Sequence, residues 1–190
     1  NATIYALILI PAVHLIVLIA TLVLSFVMVR RIERMSVAAA RTMFLVYSAL
    51  FGFTMSIYLL IYDLTSLVFA FLATALYFGV LAVYGRLTGR DLSGVRPILF
   101  SGLLFLVIFG VISLFIPALS IFDSISCLIG IAVFLGYTAY DTQRIRAFYH
   151  YYAGHPDMLE KASIFAALQL YLDFVNLFLY LLRFLGRRRD

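Results

Sequence analysis

The sequence predicts an all-α, polytopic membrane helix bundle forming a single domain over residues 1–190, and three observations carry that reading. Hydrophobic residues make up 65% of the chain and charged residues 12%, with a mean hydropathy of +1.11. A soluble domain carries about 25% charged residues, so this much apolar surface needs lipid as its solvent. The few charges cut the chain into lengths near the roughly 20 apolar residues that one transmembrane helix requires. The apolar period is helical, and a barrel would need shorter, alternating segments.

Six segments follow in order. The first covers about residues 3–29. It opens at Asn1 with no basic region and no small-residue cleavage site, so it is not a signal peptide, and upstream sequence is expected. The second lies between Arg41 and Asp63, the third over 64–85 and the fourth over about 97–116. The fifth is expected over 121–140, ending at Asp141. The sixth is expected over 162–185, after a connection of about 20 residues. Small residues four apart mark expected packing faces: Ser48, Gly52 and Ser56; Ala75 and Gly79; Ser126 and Gly130.

The connections alternate in charge. Arg30, Arg31, Glu33, Arg34 and Arg41 follow segment one; Arg86, Arg90, Asp91 and Arg96 follow segment three; Arg144, Arg146 and Lys161 follow segment five. The intervening turns offer only Asp63 and Asp123. By the positive-inside rule the basic connections are cytoplasmic. Arg187, Arg188 and Arg189 break the pattern, because a full span by segment six puts them outside. A full span is preferred to a turn back, since the segment has no central Gly or Pro.

The net charge of +5 sits in these short loops, where it sets orientation and meets anionic headgroups, and it does not suggest nucleic-acid binding. The one cysteine, Cys127, excludes an internal disulfide framework and a cysteine metal cluster. No nucleotide-binding or zinc-protease motif and no nucleophile–base pair is visible, so neither a cofactor nor an enzyme activity is expected. His14 reads as a histidine hydrogen-bonded between helices or, less simply, as a proton relay; His150 and His155 read as solvated loop.

Two acids stand out. Asp173 lies inside an apolar helix, where a charge costs at least about 2.5 kcal/mol and must face protein or water. Gln169, Asp173, Asn176, Tyr180 and Arg183 recur at spacings of four, three, four and three, one narrow stripe at 100° per residue. That stripe places the last helix at the centre of the bundle. Asp141 reads as the acid closing segment five, where the helix macrodipole disfavours it and a specific partner is implied.

Around these acids, Gly136-Tyr137-Thr138-Ala139-Tyr140-Asp141-Thr142-Gln143-Arg144-Ile145 and Ala167-Leu168-Gln169-Leu170-Tyr171-Leu172-Asp173-Phe174-Val175-Asn176-Leu177-Phe178 resemble the paired signature of the Bax inhibitor-1 family. Arg34-Met35-Ser36-Val37-Ala38-Ala39-Ala40-Arg41 and Thr88-Gly89-Arg90-Asp91-Leu92-Ser93-Gly94 resemble its bacterial members. The resemblance covers the whole chain. It implies a family of seven helices, of which six are counted here with the first one missing. It also implies a protein of the bacterial inner membrane that acts as a pH-sensitive calcium leak. Asp141 and Asp173 match the family's aspartate pair, so they are the implied pH sensor and, when deprotonated, hard oxygen ligands for Ca²⁺. Gln169, Asn176 and Tyr180 support them. A basic latch is implied too, its counterpart being Arg30, Arg31 or Arg34, with Arg34 preferred for its spacing to Gly52. Two carboxylates in contact cannot easily both ionise, and they tend to share one proton. The same resemblance admits a non-conducting regulator that binds a membrane protease or stress machinery, and a proton-coupled exchanger is a third reading. The expected partners are lipid, calcium and protons.

Overall fold

A computed structural model of the chain describes residues 34–187, with 13, 16, 17, 19–21, 23, 24, 27 and 31 before them. Those earlier residues are helical, while His14 and Arg30 lie outside the described residues. Five helical stretches among the described residues are long and apolar enough to cross a membrane: Val37–Ile61, Leu64–Leu87, Ser93–Ser113, Pro117–Tyr151 and Pro156–Leu185.

Helix α1, Val37–Met55, begins where Ser36 in an extended conformation accepts the Ala39 amide on its hydroxyl at 3.2 Å, satisfying one of the free N–H groups of the first turn. It stops at Ser56, whose hydroxyl donates to the Phe53 carbonyl at 2.6 Å. Such back-bonding competes with the helical ladder. One further turn, α2 over Tyr58–Ile61, leads into extended Tyr62 and Asp63. Asp63 caps α3, Leu64–Leu87, by accepting the Ser66 amide at 3.0 Å. Helix α4, Arg96–Phe115, starts with Pro97, whose missing N–H costs nothing in a first turn.

The last two helices correct the expected boundaries. Helix α5 runs over Asp123–Tyr151 and α6 over Pro156–Leu185. The connection is therefore four residues, 152–155, and not about 20. Asp141 does not close a helix; it lies ten residues before the end of α5, so the macrodipole argument does not apply to it. The apolar run ends near residue 140, but nothing in Thr142-Gln143-Arg144-Ile145-Arg146-Ala147 stops a helix. Gly and Pro arrive only at Gly154 and Pro156.

Helix α6 packs against α5, α3 and α1, and α5 also packs against α3 and α4. The last helix is thus central, as its polar stripe implied. Leu106, Val133, Phe134, Leu177 and Leu181 form the main apolar core, whereas Leu76 on α3 and Ile98 on α4 stay 66% and 71% exposed, as a surface solvated by lipid requires. Of the expected small-residue faces, Ser126 and Gly130 are used: a Cβ on Gly130 would stand 2.5 Å from the ring of Tyr180. A Cβ built on Gly52 or Gly79 would meet no atom within 4 Å among the described residues, so no close backbone approach is seen at those two glycines there. Spacing permits an approach without compelling one. The tightest approach is instead Gly85 of α3 on the backbone of Ala139 in α5.

Helix α6 does not turn back. Its end is tied to the start of α3, the Asp63 amide donating to the Arg187 carbonyl at 3.4 Å and the Arg187 amide to the Ser66 hydroxyl at 3.0 Å. Arg183 lies 3.6 Å from Asp123 at the same end. The Arg90 loop and the 152–155 turn lie at the other end.

Candidate functional site

Helices α5 and α6 run antiparallel and bring Asp141 and Asp173 together. Both are buried, 6% and 5% exposed, and their carboxyls lie close enough to interact directly. Among the described residues no donor reaches Asp173 Oδ2. The acids lie in the interior of two long helices, on elements whose backbones are fully engaged, and not on a loop.

Three neighbours complete the surroundings. Arg144, one turn on from Asp141, and Arg96, at the start of α4, supply positive charge to Asp141. Tyr137, one turn before Asp141, lies close enough to feel both carboxyls. Arg144 also stands over the Phe148 ring, 4.8 Å from its centre, where the ring quadrupole attracts a cation. Beside them, the Gln143 amide grips the loop between α3 and α4: its Nε2 donates to the Arg90 carbonyl at 2.7 Å and its Oε1 accepts the Leu92 amide at 2.9 Å. Within that loop the Ser93 hydroxyl and amide donate to Asp91, at 2.7 and 2.9 Å, and hold its carboxyl below the ordinary range.

The latch expected at Arg34 has no described contact with this arrangement. Arg34 is exposed, and among the described contacts none joins it to either acid; Arg31 is exposed as well. The positive charge next to Asp141 comes from α5 itself and from α4. Arg144 had a sequence signal, three residues from Asp141 on one helix, which the misplaced helix end concealed. Arg96 and Gln143 act across the fold and had none.

The rest of the stripe divides. The Asn176 amide donates to the Leu172 carbonyl of its own helix at 2.8 Å. The Tyr180 ring covers Gly130 and stacks on Phe134 with centroids 5.8 Å apart. Gln169 is half-buried, one turn before Asp173. Arg183 faces Asp123 at the far end. Among the described residues no three His, Cys, Asp or Glu side chains converge as metal ligands. A calcium ion takes six to eight oxygens, so two carboxylates would bind one only together with carbonyls or water, as a transient site does.

The whole chain, residues 1–190, matches the family model described as "Inhibitor of apoptosis-promoting Bax1". Among curated proteins it is 45% identical over 157 residues to a Rickettsia prowazekii protein, covering 83% of this chain and 66% of that one. It is 38% identical over 173 residues to the inner membrane protein YbhL of Escherichia coli K12, covering 90% and 74%. A Borreliella burgdorferi protein is 40% identical over 159 residues, covering 84% and 68%. The chain thus spans from just under two thirds to about three quarters of the length of these relatives.

Proposed function

Because the chain belongs to the Bax inhibitor-1 family, we propose that this integral protein of a bacterial inner membrane is a pH-sensitive calcium leak, gated by Asp141 and Asp173. One observation carries the reading: two buried carboxyls in contact across the α5–α6 interface.

The chemistry follows from that contact. With one shared proton the pair holds α5 and α6 together, the proton bridging two oxygens. Loss of that proton leaves two negative charges side by side. At about 4 Å and an effective dielectric near 20 their repulsion is roughly 4 kcal/mol. Moving a two-state equilibrium from 1:99 to 99:1 takes about 5.5 kcal/mol, so a single proton supplies most of a gate. Arg144 and Arg96 offset part of the repulsion at Asp141, which sets how readily the proton leaves. Once apart, two ionised carboxylates are hard oxygen ligands for a passing Ca²⁺. Asn176 and Tyr180 continue the polar stripe toward the Asp63 end.

The test is calcium flux into liposomes containing the purified full-length protein and no partner, followed across pH. Asp141→Asn and Asp173→Asn should each flatten the pH response, because neither variant can pass from a shared proton to two charges. The double variant should add little, since the residues act as one unit. Additive effects, with a full pH response in each single variant, would refute the gate. No flux in the absence of a partner would favour the regulator reading, and counter-movement of protons at fixed stoichiometry an exchanger.

A further inference from the structure

A pocket that neither acid lines lies where the end of α3 meets α5 and α6. Its volume is about 750 Å³, within the range of pockets that hold small organic ligands. Arg86, Arg146, His150 and Tyr149 line it, with Leu87 and Leu170 as apolar wall. No carboxylate lines it, and among the described residues neither arginine is in an ion pair. The one contact between the two is a long hydrogen bond, Arg146 Nη1 donating to the Arg86 carbonyl at 3.5 Å. Two arginines thus line one hollow, and no carboxylate among the described residues answers their charge.

Depth in the bilayer says what answers it. Helix α3 has 24 residues, about 36 Å at 1.5 Å per residue, against a hydrocarbon core of about 30 Å. Arg86, in its last turn, therefore reaches the headgroup layer. The neighbouring stretch of α5 agrees: Tyr149 and Tyr151 are 61% and 78% exposed, and tyrosine collects at the membrane–water boundary. The guanidinium fork matches phosphate oxygens in pairs, and Leu87 and Leu170 continue the wall as apolar surface suited to the start of an acyl chain. We propose that this pocket binds the phosphate headgroup of an anionic phospholipid from the leaflet at the Arg90 end.

The proposal is independent of ion conduction, and so is its test. Full-length protein purified in detergent micelles is mixed with phosphatidylglycerol, and bound lipid is counted by native mass spectrometry, with phosphatidylcholine as the neutral comparison. The wild type should retain phosphatidylglycerol in preference to phosphatidylcholine. The double variant Arg86→Gln, Arg146→Gln should weaken phosphatidylglycerol binding about thirtyfold, as expected for two basic groups at the headgroup layer, and leave phosphatidylcholine unchanged. Arg90→Gln, in the adjacent loop outside the pocket, should lose little. If the double variant does not fold, judged by its helical circular dichroism, the single variants Arg86→Gln and Arg146→Gln should each weaken phosphatidylglycerol binding about fivefold, and no loss in either would overturn the site. Three further results would overturn the site: an unchanged double variant, an equal loss in Arg90→Gln (which means diffuse surface charge), or displacement of the lipid by inorganic phosphate at equal concentration (which means a soluble-anion site).

Discussion

Adding one methyl group at Gly85 tests how tightly the acid-bearing helix is held. The three atoms nearest a Cβ built there are all backbone of Ala139: the carbonyl oxygen, the carbonyl carbon at 2.9 Å and Cα at 3.0 Å. Ordinary contact begins at 3.4 Å, so the carbonyl carbon alone demands about 0.5 Å of retreat (3.4 − 2.9), and the oxygen more. Backbone inside two helices cannot rotate aside as a side chain would, so α3 and α5 must separate. Overpacking of this kind costs about 1–3 kcal/mol. The comparison is Gly110→Ala in α4, where no atom lies within 4 Å among the described residues and alanine should gain about 0.5–1 kcal/mol over glycine in a helix interior. The two substitutions have the same chemistry and opposite expected signs, a difference of roughly 1.5–4 kcal/mol. Unfolding in mixed micelles, followed by circular dichroism against the mole fraction of sodium dodecyl sulfate, measures it. If both variants unfold together, or Gly85→Ala is the more stable, the close approach of α3 to α5 is wrong. Ala139 is two residues from Asp141, so the same variant should also disturb the pH response of flux.

Two further outcomes follow from the ends of the bundle. Single cysteines introduced beside Arg90 and Lys161 should be labelled only from the cytoplasmic side, and those beside Asp63 and Arg187 only from outside; outside labelling at Lys161 would overturn the orientation, and the buried Cys127 should add little background. The Ser66 hydroxyl and amide hold the Asp63 carboxyl below its ordinary value of 3.8, so the stability this cap contributes is fully present above that value and is lost as pH falls through the lowered one. Hydrogen-exchange protection at the start of α3 should therefore be flat between about pH 5 and pH 8 and drop only in stronger acid, and Asp63→Ala should remove the drop; a change near pH 6 would mean that another group controls this turn.

Much of the architecture was legible because lipid imposes a simple rule on length and polarity. The spans were visible as apolar runs between charges, and the burial of Asp173 was visible in the angular narrowness of its stripe. The same rule misled at Asp141. Apolarity ends where the membrane ends, whereas a helix ends where its backbone hydrogen bonds end, and Gln143, Arg144 and Arg146 extend the helix in polar surroundings. That error inserted a long loop between the two acids and hid Arg144, which stands one turn away. Arg96 and Gln143 were invisible for a different reason: each acts on a partner distant in the sequence, and no local pattern marks such a pairing. The small-residue spacing marks a close approach at Gly130 and none at Gly79 among the described residues, since whether another helix arrives is decided by the whole bundle.

The grip of Gln143 on the loop between α3 and α4 has a mechanical consequence. Gln143 is two residues from Asp141 on the same rigid helix, and it holds the loop by both ends of one amide, through the Arg90 carbonyl and the Leu92 amide. A rotation of α5 large enough to part the acids cannot leave that loop at rest: it either carries Arg90 and Leu92 along or breaks both bonds at once. The loop is thus the hand of a dial whose spindle is buried. Motion that no probe can reach between two apolar helices is displayed at the water's edge, on a segment with exposed positions at Gly89, Arg90 and Asp91.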